Sequence, residues 1–313
     1  MRRLFRQAGL FFHSAVASSH LAARAYFAAL PWLAHPLSVK GQQRLRNSID
    51  AVKWPAIALR PRRVIVGGRT EVWLHPHFNE VDLEAALGQR LSYEHEVFTF
   101  LETRMPAYGA VIEIGANVGL FTTFFARWLA DRTPAGRVYA FEPSRQAYER
   151  LLQNLAANAS NNVLVFNCAI ADETTFLPFF EPEGHLTNGS LIAGFAAQFS
   201  QTVSSMPVLV LDGGLVERLP EKGLKVLLKI DVEGSEARVL RSLERFIRSS
   251  SPDIVIEVLA EFEGELNELR FLRDAGYAFF NLTPHGALLQ PSIKATMHRD
   301  YFLTTSPLPE RTA

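Results

Sequence analysis

The sequence predicts an α/β protein built on a doubly wound sheet with an antiparallel edge strand, preceded by an N-terminal helical segment. Three observations carry this. From Leu91 onward, apolar β-branched runs alternate with segments of helical spacing; the first such run stops in a glycine-rich turn; and two strand-like runs close the pattern after the last helix. The 313 residues supply ample core for one α/β domain with an appended piece. The composition shifts suggest a helical extension and connector over residues 1–60, a hairpin region over 61–90 and the main domain over 91–305.

Lysine and arginine number 32 against 32 aspartates and glutamates, and no sustained basic helix is present, so the sequence argues against a nucleic-acid partner. Cys168 is the only cysteine, which excludes an intrachain disulfide and fits a reducing, cytoplasmic setting. A small buried hydrophobe inside a strand is the expected role for it.

At the N-terminus, Arg2, Arg3 and Arg6 precede an apolar, alanine-rich stretch from Ala8 to Ala23. A signal peptide or anchor is disfavoured, because His13, Ser14, Ser18, Ser19 and His20 dilute the run, Arg24 ends it, and a spanning helix needs roughly twenty apolar residues. An amphipathic helix fits better. Leu4, Phe5, Phe11, Phe12, Val16, Leu21, Tyr26, Phe27 and Leu30 would share one apolar surface, turned toward a membrane, the domain or a second subunit. Pro31 and Pro36 are expected to close this segment, and Arg44 to Arg60 reads as a partly basic connector. Val64–Val66 and Thr70–Leu74 flank Gly67-Gly68 as a hairpin. His75 and His77 lack a third ligand nearby and are not read as a metal site.

A helix over Leu91–Met105 leads to the organising stretch, Val111-Ile-Glu-Ile-Gly-Ala-Asn-Val-Gly119, with helical spacing resuming over Leu120–Leu129. Such a strand, turn and helix lets backbone N–H groups approach a ligand, since glycine has no Cβ and accepts positive φ. The spacing is not the G-x-G-x-x-G that wraps a dinucleotide pyrophosphate. Glu113 would repel a pyrophosphate but suits a ligand with an ammonium group, as the methionine end of S-adenosylmethionine has. The E-x-G-A-N-x-G string resembles motif I of S-adenosylmethionine-dependent methyltransferases, which makes Glu113, Gly115, Ala116, Asn117 and Gly119 candidate cofactor residues.

Arg137–Glu142 is a second strand ending in a carboxylate roughly twenty residues beyond the turn, where α/β folds bind ribose hydroxyls; an ordinary strand-end carboxylate is the alternative for Glu142. Val163–Ile170 reads as a third, continuous strand covered on both faces. Its end, with Ala169 to Asp172, would lie beside an adenine, and Asn167 is readable either as a polar neighbour of that adenine or as a plain strand residue. Between Glu173 and Met206, prolines and glycines suggest an irregular insertion over the substrate that carries His185, a candidate general base or merely an exposed histidine.

Pro207–Asp212 is another strand-like run. Lys225–Asp231 forms the fourth core strand, continuing Val232-Glu-Gly-Ser-Glu236 into a helix that runs to Arg248. Some of these acids suit a helix cap; Asp231, ending a strand next to the cofactor strand, is the candidate catalytic acid or base. Asp253–Val258 is a fifth strand, Glu265–Ala275 a helix, and Tyr277–Asn281 and Tyr301–Thr304 the closing strands.

Taken in order, Glu113–Gly119, Phe141-Glu142-Pro143, Lys229-Ile-Asp-Val-Glu-Gly-Ser-Glu236 and Ile256-Glu257 resemble the FkbM family of S-adenosylmethionine-dependent methyltransferases, over about Leu91 to Leu303. The resemblance implies a class I methyltransferase (Rossmann-like) fold, S-adenosylmethionine as cofactor, and O-methylation of a sugar, glycan or small natural product. A proton acceptor is then needed, for which Asp231, His185 or His285 are available. A divalent cation on Asp231 and Glu257 is the alternative, and a metal-free reaction is the expectation. N-methylation of a macromolecule is disfavoured because no Asn/Asp-Pro-Pro-Tyr/Phe string follows the fourth strand. A catalytically silent cofactor-binding protein is the remaining alternative.

Overall fold

The computed structural model describes residues 2–78, 80–130 and 136–308, and the chain divides into two compact units, Met1–His95 and Glu96–Ala313.

The first unit contains three helices, α1 (Arg2–Ala17), α2 (His20–Ala34) and α3 (Val39–Asp50), and one hairpin, β1 (Arg62–Val66) with β2 (Thr70–Leu74), followed by a 3-10 turn at Val81–Ala86. The N-terminal segment is thus broken at Ser18-Ser19, where the Ser19 hydroxyl accepts the Ala22 N–H and starts a new helix. The single apolar surface expected here divides as a result. Phe27 and Leu30 turn inward, whereas Phe11, Phe12 and Leu21 are exposed; the side chains of Leu4 and Phe5 lie outside the described residues. Pro31 does not end α2. It sits inside the helix, and the His35 N–H still reaches its carbonyl at 3.0 Å. The connector expected over Arg44–Arg60 is in its first part helical: Ser38 caps α3, and Ile49 and Leu45 join a core of Phe27, Leu30, Ala34, Leu83 and Leu87. Trp54 stacks between Tyr26 and Phe78 in that core, with centroids 5.7 and 6.0 Å away. His77 pairs with Asp82 at 2.7 Å. No described helix is long and apolar enough to cross a membrane.

The second unit begins one residue into α4 (His95–Arg104) and is built on an eight-stranded sheet. Its strands are β3 (Ala110–Ile114), β4 (Arg137–Phe141), β5 (Val163–Phe166), β9 (Val226–Ile230), β10 (Asp253–Glu257), β11 (Ala278–Thr283), β12 (Gly286–Gln290) and β13 (Asp300–Thr304), in the order β12-β11-β13-β10-β9-β3-β4-β5. From β5 to β10 the pairing is parallel, and β13 enters antiparallel between β10 and β11. The helices α5 (Leu120–Ala130), α6 (Arg145–Ala157), α8 (Glu236–Ser242), α9 (Glu244–Ser250), α10 (Glu263–Asn267) and α11 (Arg270–Asp274) make the connections. The chain reverses winding direction between β3 and β9, so the crevice at their carboxyl ends is the topological switch point where such sheets hold ligands.

Three differences from the sequence reading affect the site. The third strand is not continuous: β5 stops at Phe166, because the Asn167 amide donates to the carbonyls of Glu142 and Pro143 at 2.8 and 3.2 Å and turns the chain out of the sheet. Nor is it covered on both faces, since β5 is an edge strand with Leu164 exposed. Ala169-Ile170 instead forms β6, which joins β7 (Thr175–Pro182) and β8 (Val203–Leu211) in a separate sheet of order β6-β8-β7. The insertion is therefore not wholly irregular. It holds a long antiparallel pair, with the four-residue helix α7 (Ala193–Ala196) between its strands. The prolines that hid this pair are tolerated, because β7 is an edge strand and Pro207 lies where β6 does not reach. Finally, the helices expected to run to Arg248 and over Glu265–Ala275 are each broken in two, at Leu243 and at Glu268-Leu269.

At the start of β10, Asp253 is buried and accepts the hydroxyls of Tyr108 (2.7 Å) and Thr304 (2.6 Å), with Lys225 2.9 Å and Arg104 3.5 Å away. It ties the segment before β3, the central β10 and the antiparallel β13 together. Asp253→Ala strands four polar partners and is expected to lower the unfolding free energy by about 3 kcal/mol or more, measured by urea denaturation.

Candidate active site

Gly115 is the point on which the site is built. β3 and β9 run side by side until the Asp231 N–H donates to the Ile114 carbonyl at 2.9 Å, and there the two strand ends converge. A Cβ on Gly115, whose φ is +87°, would lie 1.7 Å from the Asp231 carbonyl oxygen, so no other residue fits without moving β9. The N–H groups of Gly115 and Ala116 both donate to the Phe141 carbonyl at 3.0 Å, binding the turn to the end of β4. Ala116 itself points into a small core with Ala140, Leu151 and Leu155. Gly119 closes the turn, its N–H donating to the Ala116 carbonyl at 2.9 Å, and begins α5.

Glu142 lies almost fully buried at the mouth of this turn. One carboxylate oxygen accepts the Asn117 N–H and the other the Ser144 N–H, each at 2.7 Å. Each oxygen retains a lone pair. Burial, reinforced by Glu181 and Asp231 nearby, outweighs those two bonds and pushes its pKa up to about 7. Asn117 adopts a left-handed φ of +49°, and its side-chain oxygen is buried without a hydrogen-bond partner. Glu113 is also buried, and accepts the Thr122 hydroxyl at 2.7 Å; desolvation raises its pKa to about 8, against the opposing pull of Lys229. Its contacts fasten β3 to the first turn of α5.

At the end of β9, Lys229 and Asp231 share one face of the strand, as residues two apart must. Their side chains meet at 2.8 Å, and the buried ammonium lies 4.3 Å from the Phe121 ring centre. Asp231 remains partly exposed. Glu236 folds back to accept the N–H groups of Val232 and Gly234, so it is a loop brace, and burial raises its pKa to about 7. Carboxylate oxygens of Asp231, Glu233 and Glu257 lie within 4.8 Å of one another. Burial and these neighbours shift the Glu233 carboxyl strongly upward.

The other predicted residues are placed differently. His185 is exposed in the turn after β7, its ring 6.5 Å from Phe199, with no side-chain hydrogen bond or ion pair to Asp231. Asn167 braces the chain beyond Glu142, and Ala169 is packed with Ala171, Phe179 and Val210 in the smaller sheet. His285 is exposed in the β11–β12 turn. Sequence reasoning did not single out two residues that reach this region. Glu181 on β7 and Ser190, whose hydroxyl donates to the Glu233 carbonyl at 2.7 Å, carried no sequence signal.

The sheet order, the glycine turn pressed on the neighbouring strand and the acid ending the second strand define a class I S-adenosylmethionine-dependent methyltransferase. The family described as "Methyltransferase FkbM domain" matches residues 113–279, more than half of the sequence, and the chain belongs to it. Among curated relatives, "Methyltransferase sdnD" of Sordaria araneosa is 27% identical over 190 residues, covering 52% of this chain and 72% of that protein. "31-O-demethyl-FK506 methyltransferase FkbM" of Streptomyces tacrolimicus is 27% identical over 201 residues, 53% of this chain and 72% of its own. The crystal structure of a methyltransferase FkbM from Methylobacillus flagellatus KT, 16% identical, covers 63% of this chain and 43% of that one with a TM-score of 0.39. The turn fits the cofactor on its own terms: a cradle without Cβ, an unsatisfied buried amide oxygen on Asn117 and a carboxylate with free lone pairs.

Glu113 and Glu142 hold protons in the folded state to pH values well above the ordinary carboxylate range. The unfolded chain releases them near pH 4 to 5, so folding stability from these groups is fullest below that range and is lost as pH rises through about 7 to 8. The cofactor-free protein is expected to melt at progressively lower temperature between these limits in differential scanning fluorimetry, and Glu142→Gln to flatten the profile.

Proposed function

We propose that the protein transfers a methyl group from S-adenosylmethionine to a hydroxyl of a sugar, glycan or small natural product. The observation that carries this reading is the Lys229–Asp231 pair: a partly exposed carboxylate held at 2.8 Å by a buried ammonium, on the strand that abuts the glycine turn. The bound cofactor supplies a methyl group on a cationic sulfur, already activated toward a nucleophile. What the protein must add is alignment and removal of the acceptor's proton.

In this reading Glu142 accepts the ribose hydroxyls on its free lone pairs, and the Asn117 amide oxygen and the turn from Gly115 to Gly119 seat the rest of the cofactor. Glu113 keeps the turn in shape by holding Thr122. Asp231 accepts the hydroxyl proton, and Lys229 fixes the orientation of its carboxylate. Asn167 acts on the cofactor through the Glu142–Pro143 backbone. The relative from Streptomyces tacrolimicus is named for 31-O-demethyl-FK506, a name that specifies oxygen as the acceptor atom, and supports the same choice here.

A second reading has one observation in its favour, the convergence of Asp231, Glu233 and Glu257, which would suit a divalent cation that acidifies the acceptor hydroxyl. Chelation separates the two. Activity unchanged by EDTA supports proton transfer to Asp231 alone, and activity lost with EDTA and restored by Mg²⁺ replaces that step by the metal-assisted one.

Calorimetric titration with S-adenosylhomocysteine is expected to show binding that weakens by about tenfold or more in Glu142→Ala, with no binding of NAD. Absence of binding by folded wild type sinks the assignment. With a labelled methyl donor and pools of glycans and hydroxylated metabolites, Asp231→Asn is expected to lower kcat by about 10²–10⁴ while leaving cofactor affinity within a few-fold. His185→Ala is expected to change kcat by no more than about twofold; a larger loss there moves the proton acceptor to His185. Cofactor binding without turnover on any pool, in both wild type and variants, favours the silent binding protein.

A further inference from the structure

The first unit carries a surface that methyl transfer does not explain. α2 is apolar on both sides: Ala23, Phe27, Leu30 and Ala34 fill the unit's core, whereas Leu21, Ala25, Ala28, Ala29, Trp32 and Leu33 are exposed at the spacing of a second, outward stripe. Leu21 is 80% and Trp32 83% exposed, and on α1 Phe11 is 79% exposed. Only one charge, Arg24, interrupts the outward stripe. A helix apolar on all sides is normally enclosed, so this face is suited to something other than water.

Charge says what covers it. The chain as a whole is neutral, yet its first acidic residue is Asp50, preceded by seven lysines and arginines. Trp32 also borders a cleft of about 890 Å³ within the same unit, whose lining includes Arg46, Arg62, Arg63 and Arg90, with Glu84 its one carboxylate among the described residues. Arg46 is paired with Glu84 and Asp50 and Arg63 with Glu71, which leaves cations in excess around the aromatic and aliphatic side chains of the helix. That combination matches an anionic bilayer surface, where the apolar face enters the headgroup boundary and the excess cations meet lipid phosphates. A second copy of this unit would bring the same positive charge to the contact. The α helices of 16 and 15 residues, broken at Ser18-Ser19, suit lying in the interface and not crossing it.

We propose that the Met1–His95 unit docks the protein on an anionic phospholipid surface through the outward face of α2 and Phe11 of α1. This is independent of the methyl acceptor. The test is flotation of the full chain with vesicles of phosphatidylcholine alone and of phosphatidylcholine containing about 30% phosphatidylserine. Wild type is expected to float with the anionic vesicles, at least about tenfold more strongly than with the neutral ones, and to be released by about 0.5 M salt. Leu21→Ser with Trp32→Ser, both at exposed positions and so expected to leave the melting temperature unchanged, should weaken flotation by about tenfold or more. Arg24→Glu with Arg62→Glu should do the same. Equal binding to both vesicle types, no binding to either, or binding by the apolar double variant at wild-type strength overturns the proposal. So does a wild-type dimer in light scattering that the Leu21→Ser, Trp32→Ser variant dissolves, which assigns the face to a second copy.

Discussion

The approach of Gly115 to the Asp231 carbonyl is the constraint from which the rest of the site follows. It brings the ends of β3 and β9 together at the switch point, so the cofactor turn and the Lys229–Asp231 pair are two sides of one contact. The Phe141 carbonyl fastens the same turn to β4, and this places Glu142 where its oxygens can take the Asn117 and Ser144 N–H groups. Three strand ends are thereby fixed relative to one another by backbone contacts alone. Side chains need only be hung on that frame, which is how precise geometry is obtained at the carboxyl ends of central strands without a rigid loop.

The frame concentrates charge where water is scarce. Glu113, Lys229, Glu142 and Glu236 are all buried, and every carboxylate among them has its pKa raised by desolvation as the largest cause. Local partners offset part of that burden: Thr122 for Glu113, two backbone N–H groups for Glu142, the Val232 and Gly234 N–H groups for Glu236. Such an arrangement is poor for stability and good for a site that must discriminate between protonation states. The stability has to come from elsewhere, from the apolar layers around β9 and β10 and from the Asp253 cluster at the opposite end of the sheet.

How much of this the sequence disclosed depended on whether local pattern or distant contact decided the structure. The glycine turn, the Glu142 strand end and Lys229–Asp231 are set by residues a few positions apart, and their spacing was readable. The doubly wound sheet was readable too, because parallel strands joined by helices admit few arrangements, whereas β12 carried no strand pattern that was read. β7 was hidden by Pro178 and Pro182, whose tolerance depends on an edge position that no local rule reveals. Asn167 and Ala169 looked like strand interior, yet the Asn167 amide ends the strand by reaching Glu142 and Pro143. The helix over Val39–Asp50 was obscured by its polar composition; its few buried residues meet partners on α2 and beyond Leu83. Glu181 and Ser190 belong to the same class, since only the folded insertion brings them near Glu142 and Glu233.

The insertion is fastened at several points to the loops that follow β9 and β10. The Ser190 hydroxyl holds the Glu233 carbonyl, Ile192 fills space that a side chain on Gly234 would need, and Gln198 spans to Glu261. The insertion is therefore geared to the two loops beside the acids Glu233 and Glu257. Exchanging it between relatives would be a graft with three seams, and a new acceptor could be reached only by changes that keep those seams closed.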